Sequence, residues 1–201
     1  MSDRNPTRTA LLELQDEQRA MHEGYVFLDE KCLLLAGEML RQLARLAGLR
    51  QALEAAQARA AQALQAALGR HGLAGLGWQP PRPQAGAVGT VTPGMLMGVR
   101  LQTARWTSDD QPPPPAIAAS PEMRDLRAAY AALIEAAAPL AAVQGNLERL
   151  SQEYRRSVRR ARALQDVLLP ELTRDIGDIA TRIEELEQQD AITMRHGALH
   201  R

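Results

Sequence analysis

The chain has 201 residues, with 24 basic and 24 acidic side chains, one cysteine, and an aromatic content of 3%. Balanced charge argues against nucleic acid as the main partner, because phosphate binding depends on a net basic field. The scarcity of aromatic side chains argues against a thick globular core, and the single cysteine, Cys32, excludes an internal disulfide.

The compartment is predicted from what the sequence lacks. We find no run of about 18 apolar residues, so no membrane span is expected. The first residues, MSDRNPTRT, have no apolar segment after their charges, so no secretory signal is expected. Together with the lone cysteine, these features predict a cytoplasmic protein.

The first predicted element is a long helix within residues 1–69. Asn5 or Thr7 can cap its start, and Pro6 suits the first turn. Apolar and small residues then recur every seven positions in two rows, which predicts one strand of a left-handed coiled coil. One row contains Leu14, Met21, Leu28, Leu35, Gln42, Leu49, Ala56 and Ala63, and the other contains Leu11, Gln18, Tyr25, Cys32, Met39, Leu46, Leu53, Ala60 and Ala67.

Residues 70–120 differ from the helix before them. Glycines are expected to end the helix and prolines to prevent it from restarting, namely Gly69, Gly72, Gly75, Gly77, Pro80, Pro81 and Pro83. Two short runs of β-forming residues, separated by Thr92-Pro93-Gly94, predict a small β-hairpin or two edge strands. The run from Pro112 to Pro115 predicts an extended linker.

The last region, residues 121–190, is predicted to be helical. Ser120-Pro121-Glu122 provides a capping hydroxyl, a proline in the first turn and an early acid, so a short helix is expected from Pro121 to about Ala137. A second apolar seam follows, with Leu168, Leu172, Ile176, Ile179, Ile183 and Leu186. Its spacing contains a stutter around Pro170, which predicts a bend or loosened turn between Asp166 and Pro170. Residues 191–201 are expected to be a flexible tail.

Two seams separated by an insert predict an all-α fold, a long antiparallel two-helix coiled-coil hairpin with a small β insert and a short extra helix at its far end. If the two ends of the chain lie level, facing residues have numbers that sum to about 200. Leu14 would then face Leu186, and Met21 would face Ile179. A dimeric coiled coil, with its contacts between chains, is the alternative.

We find no catalytic, cofactor or metal site in the sequence. The glycines from Gly72 to Gly77 lack the order of a phosphate-binding loop and a strand before them. His196 and His200 are four residues apart, but Gly197 between them disfavours the helix that a shared metal would need. The chain is therefore interpreted as a protein without enzymatic activity of its own.

Several motifs resemble the D subunit of the V-type and archaeal A-type rotary ATPases. The stretch RRARALQDVLLPEL, Arg159 to Leu172, is similar to the RRVNALEHVVIPRL of that family, including Pro170. The stretch IEELEQ resembles its LDELERE end, Pro6-Thr7-Arg8 resembles its PTK start, and Met97-Gly98-Val99 resembles its central MGV segment.

The sequence departs from the family pattern at three places. Arg162 stands where the family usually has asparagine, and Cys32 stands where it usually has arginine. The segment after Gln189 is short and lacks the usual lysine-rich ending. These differences concern the tip of the hairpin rather than its architecture.

The resemblance implies a central rotor shaft that couples ATP hydrolysis or synthesis to ion translocation, such as proton transport, at the cytoplasmic face of a membrane. The implied partners are the catalytic A and regulatory B subunits of a hexamer, the small F subunit of the stalk and a cup-shaped subunit on the membrane ring. No cofactor is implied. A stalk or scaffold protein of a flagellar or type III export apparatus is the alternative, although the Pro170 motif and the insert favour the first interpretation.

Two groups of residues are the candidate contact sites. The arginine surface would meet acidic loops of the hexamer, or it is only a solvated helix face, and it consists of Arg155, Arg156, Arg159, Arg160 and Arg162. The predicted hairpin would meet the stalk partners, or it only caps the coiled coil, through Val88, Val91, Val99, Leu101 and Trp106.

Overall fold

The computed structural model describes residues 6–80, 88–107 and 115–199. Its elements in chain order are α1 (Arg8–Gly77), β1 (Val88–Leu96), β2 (Val99–Thr107), α2 (Pro121–Ala163), a π-helical turn (Leu164–Leu168) and α3 (Leu169–Leu199). The predicted fold class, long helices with a small two-stranded insert, is confirmed. Three predicted features lie outside the described residues, namely the candidate cap Asn5, residues 112–114 of the proline linker, and His200.

Helix α1 begins at a side-chain cap and is interrupted by a kink at Gly72. The N–H of Ala10 donates to Oγ1 of Thr7 at 3.2 Å, so the threonine satisfies one of the free donors of the first turn. Of the glycines expected to break the helix, only Gly72 leaves helical conformation, with φ 69° and ψ 172°. These angles interrupt the helix, so the expected glycine break is confirmed at Gly72, and residues 73–77 form a short helical segment after it.

Side-chain contacts connect the last turns of α1 to the start of α2. Oγ of Ser120 accepts the N–H of Met123 at 3.1 Å, which is the predicted helix cap, and it also lies 2.8 Å from Nε2 of His71. Arg70 lies 3.5 Å from the carboxylate of Glu122. A hydrogen bond from its own backbone N–H is the main cause that holds the pKa of Glu122 below its usual value.

Helix α2 passes through Pro139 without ending and continues to Ala163. The short helix expected to start at Pro121 is therefore the first part of a long one. The predicted loosening near Pro170 is confirmed, because a π-helical turn occupies Leu164–Leu168 directly before this proline. In that turn the N–H of Leu169 bonds to the carbonyl of Leu164, five residues back, as in a π-helix.

The structure divides into two compact units, whose described residues are 6–34 with 154–199, and 35–153 except for its two gaps. In the first unit, α1 is antiparallel to the segment from the end of α2 through α3. The contacts that show this are Arg8 with Glu187 at 2.7 Å, Gln18 with Thr173 at 2.9 Å, and the Cβ position of Gly24 with Leu164 at 3.8 Å. The order of partners reverses along the two segments, as the hairpin prediction requires.

The predicted register of this pair was wrong. The numbers of the three contacting pairs sum to 195, 191 and 188, rather than to about 200. Leu14 therefore lies opposite the region of Ile179, and not opposite Leu186. The physical reason is that the ends are not level, since α1 begins at Arg8 while α3 continues twelve residues past its contact with Arg8, to Leu199.

The corrected register predicts which engineered cysteines react with each other. In a Cys32→Ala background, Gln18→Cys with Thr173→Cys is expected to give an efficient crosslink within one chain when treated with a short bismaleimide. The pair Leu14→Cys with Leu186→Cys should react poorly, because about seven residues of helix, or roughly 10 Å, separate Leu186 from the position opposite Leu14. Denaturing electrophoresis distinguishes the two products, and a preference for the second pair, or crosslinks between chains only, would contradict this register.

Burial along α1 follows the two predicted heptad rows. Among the described residues of this helix, every buried side chain belongs to one of the rows, namely Leu14, Cys32, Leu35, Gln42, Ala56, Ala60 and Ala67. On α2 the buried side chains from Leu140 onward are also spaced three, four or seven apart, except that Ala142 lies beside Val143. They are Leu140, Ala142, Val143, Asn146, Leu150, Ser157 and Ala161, and Met123 is buried at the start of the helix. Small residues recur in both sets, which allows helices to approach closely.

One polar residue in the rows, Gln42, is supported by a neighbouring acid. Nε2 of Gln42 donates to Oε1 of Glu38 at 2.7 Å, and Arg41 donates to the other carboxylate oxygen at 2.8 Å. Burial raises the pKa of Glu38, but these hydrogen bonds outweigh it and leave the pKa below its usual value. The carboxylate is therefore charged near neutral pH and holds the glutamine in place.

The helical run 121–196 contains an 18-residue window of mean hydropathy 1.4, of which 22% is buried. By length and composition, this window is apolar enough to cross a membrane, contrary to the expectation from the sequence. A single such window is weak grounds for a membrane span, because long helices of soluble proteins meet the same criterion.

Candidate functional site

The arginine surface lies on the last turns of α2. All five of its side chains, Arg155, Arg156, Arg159, Arg160 and Arg162, are exposed. Between them, Ser157 and Ala161 are buried, which identifies the packed face of this part of the helix. The arginines therefore project from the remaining faces, where they are accessible to a macromolecular partner.

The π-helical turn follows the arginine surface immediately. An extra residue in the turn rotates the positions after it relative to an α-helix, and Val167 and Leu168 are exposed here. Pro170 is the second residue of α3, directly after the π-helical turn, whose wider hydrogen-bond spacing accommodates the missing N–H. The predicted kink site is thus a local change of helix type, and it gives the surface of this segment two accessible apolar side chains.

The other seam residues of α3 differ in burial. Ile179 is buried, while Leu172, Ile176 and Ile183 are half-buried. Leu186 is exposed because it lies beside Glu187, the partner of the first residue of α1, where the pairing of the two helices ends. On α1, Leu14 and Leu35 are buried, and Met21 and Leu28 are half-buried.

A cleft of about 160 Å³ lies in the first unit between α1 and residues 168–175, at the start of α3. It is lined by Leu14, Glu17, Met21, Leu168, Glu171, Leu172 and Asp175. The lining contains carboxylates and apolar side chains but no histidine, cysteine, serine or lysine. Across the described residues, no group of three or more His, Cys, Asp or Glu side chains could hold a metal ion.

Strands β1 and β2 form an antiparallel ribbon, but its turn is not where the sequence predicted it. The chain reverses at Met97 and Gly98, with φ 47° and 83°, while Thr92-Pro93-Gly94 lies inside β1. A two-residue turn with two positive φ values matches the right-handed twist of the flanking strands. The expectation failed because proline and glycine usually mark turns, whereas Pro93 has a strand position that does not need its N–H.

The predicted contact residues lie on opposite faces of the ribbon. Val99 is buried and Leu101 is half-buried, so they belong to the face that packs on the protein. Val91 is 58% exposed on the other face, and Met95, two positions further along that face, is 73% exposed. The ring of Trp106 lies over Gly89, 3.4 Å from the position of a Cβ there, and the side chain of Val88 lies outside the described set.

Two residues that sequence analysis missed attach the ribbon to α2. The carboxamide of Asn146 makes two hydrogen bonds with the backbone of Gln102, at 2.9 and 2.8 Å. Nε of Arg149 donates to the carbonyl of Arg100 at 2.8 Å. The signal was present in the sequence, because Asn146 is the one polar residue in the apolar series Leu140, Val143, Asn146 and Leu150.

Comparison with known proteins identifies a family for this chain. A search of curated proteins found no match. The profile of the family described as the D subunit of ATP synthase matches residues 10–196, which include the ribbon and nearly all of the three helices. Because this match covers far more than half of the chain, the protein belongs to the ATP synthase D-subunit family, the stalk subunits of V-type and A-type rotary ATPases.

Proposed function

We propose that this chain is the central rotor shaft of a V-type ATPase or ATP synthase. It couples ATP hydrolysis or synthesis in a catalytic hexamer to ion translocation by rotating inside it. The observation that carries this proposal is the family match over residues 10–196. The antiparallel helix pair of the first unit supports it, because two helices side by side are only about 20 Å across and fit a narrow central opening.

The shaft contributes contacts rather than catalysis. The catalytic A and regulatory B subunits would surround the first unit, and the exposed arginine surface would interact with acidic loops on them. Ion pairs suit an interface that moves, because an exposed pair contributes only about 1 kcal/mol or less. Such pairs can therefore break and form again with other acidic residues as the shaft turns.

The ribbon is the proposed contact of the stalk partners, the small F subunit and the cup-shaped subunit on the membrane ring. Its outer face offers Val91 and Met95, and β1 offers backbone groups on the edge away from β2. An extended segment of a partner can pair with such an edge. The complex would lie at the cytoplasmic face of the membrane, and the shaft itself would not insert into the lipid.

Co-expression with the A, B and F subunits tests this function. A tagged wild-type chain is expected to co-purify with a hexamer of A and B and with the F subunit. A variant in which a short linker replaces residues 88–107 should retain the hexamer and lose most of the F subunit, because the arginine surface is unchanged. Failure of the wild-type chain to bind the hexamer would contradict the shaft, and retention of the F subunit by the ribbon variant would contradict the ribbon contact.

A further inference from the structure

The attachment of the ribbon to α2 has the geometry of strand pairing. The backbone N–H of Gln102 donates to Oδ1 of Asn146 at 2.9 Å, and Nδ2 of the same asparagine donates to the carbonyl of Gln102 at 2.8 Å. One side-chain amide thus satisfies both backbone groups of one strand residue, as a residue of a neighbouring strand would. Asn146 is 1% exposed, so water does not compete for these bonds.

The alternation of hydrogen bonds in an antiparallel ribbon explains why these groups are available. A strand residue directs both its N–H and its C=O to the same side. Since Gln102 bonds to Asn146, it directs both groups away from β1, and its cross-strand partner Pro93 also directs its backbone outward. A proline is tolerated at this position because no N–H is needed for the ladder.

The next outward-facing residue of β2 is held in the same way. Arg100 is two residues from Gln102, and its carbonyl accepts a hydrogen bond from Nε of Arg149 at 2.8 Å. Nη2 of Arg149 also donates to Oδ1 of Asn146 at 2.8 Å, which fixes the orientation of the carboxamide. The two side chains, one helical turn apart on α2, therefore occupy the outer edge of β2 at Arg100 and Gln102.

We propose that Asn146 is a positioning residue that replaces a third strand, so that it fixes the ribbon to α2 and closes the β2 edge to other chains. A two-stranded ribbon without such support is only marginally stable in water. With the β2 edge occupied, an added partner strand is directed to β1, where Pro93 interrupts the row of donors. This last consequence rests on the proposed function of the ribbon, but the positioning role does not.

Hydrogen exchange measured by NMR on the full chain tests the positioning role. In Asn146→Ala, the exchange of the Gln102 amide is expected to accelerate by about tenfold or more, because its acceptor is lost. The amides of Leu101 and Thr103, which face β1, should stay protected. Gln144→Ala, an exposed substitution on the same helix, is the control and should change none of the three amides.

Two results would overturn the proposal. One is an unchanged exchange rate at Gln102 in the alanine variant, and the other is equal acceleration at Leu101 and Thr103, which would mean that the whole ribbon is lost. A measurement without any variant covers the case in which Asn146→Ala does not fold. In the wild-type chain, the side-chain amide protons of Asn146 must exchange more slowly than those of Gln144, and equal rates would refute the hydrogen bond.

The same variant separates this inference from the proposed function. If the ribbon binds the F subunit, Asn146→Ala should weaken that binding while the hexamer is retained. If Gln102 loses protection and binding of the F subunit does not change, the positioning role stands and the ribbon contact fails. The two ideas therefore have separate outcomes.

Discussion

Replacing Leu150 with alanine is expected to lower the free energy of unfolding by about 2 to 5 kcal/mol. Leu150 is completely buried on α2, in the apolar series that includes Val143 and Asn146. Removing its side chain loses the transfer free energy of three carbons and leaves a cavity that helices packed by heptads can fill only partly. Urea unfolding followed by far-ultraviolet circular dichroism gives the change as a shift of the midpoint.

The matched control is Leu40→Ala in the same unit. Leu40 is on α1 but 67% exposed, so its truncation removes little packing and is expected to change stability by about 0.5 kcal/mol or less. Similar losses in the two variants would show that Leu150 is not a core residue. An altered slope of the unfolding curve would show instead that the variant changes how much surface unfolding exposes.

Reversing two charges of the arginine surface is expected to impair coupling without unfolding the chain. Arg156→Glu with Arg160→Glu should reduce ATP-driven ion transport by about tenfold in the reconstituted complex, a loss that corresponds to roughly 1.4 kcal/mol. Acidic loops of the hexamer would then face acidic side chains. Helix content should be almost unchanged, because glutamate and arginine have similar helix propensities.

A control with the same change in net charge isolates the position. Arg50→Glu with Arg59→Glu alters two exposed arginines of α1 in the second unit and should leave transport near the wild-type value. The measurements are ATPase rate, ion transport and circular dichroism on the same preparations. The prediction is contradicted if both double variants transport ions equally well, or if Arg156→Glu with Arg160→Glu leaves transport unchanged. Either result would mean that the arginine surface faces only solvent.

Much of the local structure could be predicted from the sequence, because its causes are local or periodic. The seven-residue repeat identified the rows that contain the buried residues of α1, from Leu14 to Ala67. Ser120 was recognised as the cap of α2 by its hydroxyl and the proline after it. The stutter beside Pro170 indicated where the helix changes type, since neither the spacing nor the missing N–H depends on a distant part of the chain.

The candidate sites could be predicted only in part. The arginine surface was correctly expected to lie on faces beside the packed one, because all five of its side chains are exposed. Within the ribbon, the predicted set mixed both faces, because the turn was placed at Pro93 rather than at Met97 and Gly98. Asn146 was overlooked because its role depends on hydrogen bonds to the backbone of Gln102, which is 44 residues earlier in the chain.

The sequence by itself thus determined the helices, their packed faces and the position of the π-helical turn. Only the tertiary structure decided the register of α1 against α3, the short helical segment after the kink at Gly72, and the attachment of the ribbon to α2. A repeat of seven leaves pairings that differ by whole heptads nearly equal in apolar burial. Side-chain contacts such as Gln18 with Thr173, and the unequal lengths of the paired helices, select one of these pairings.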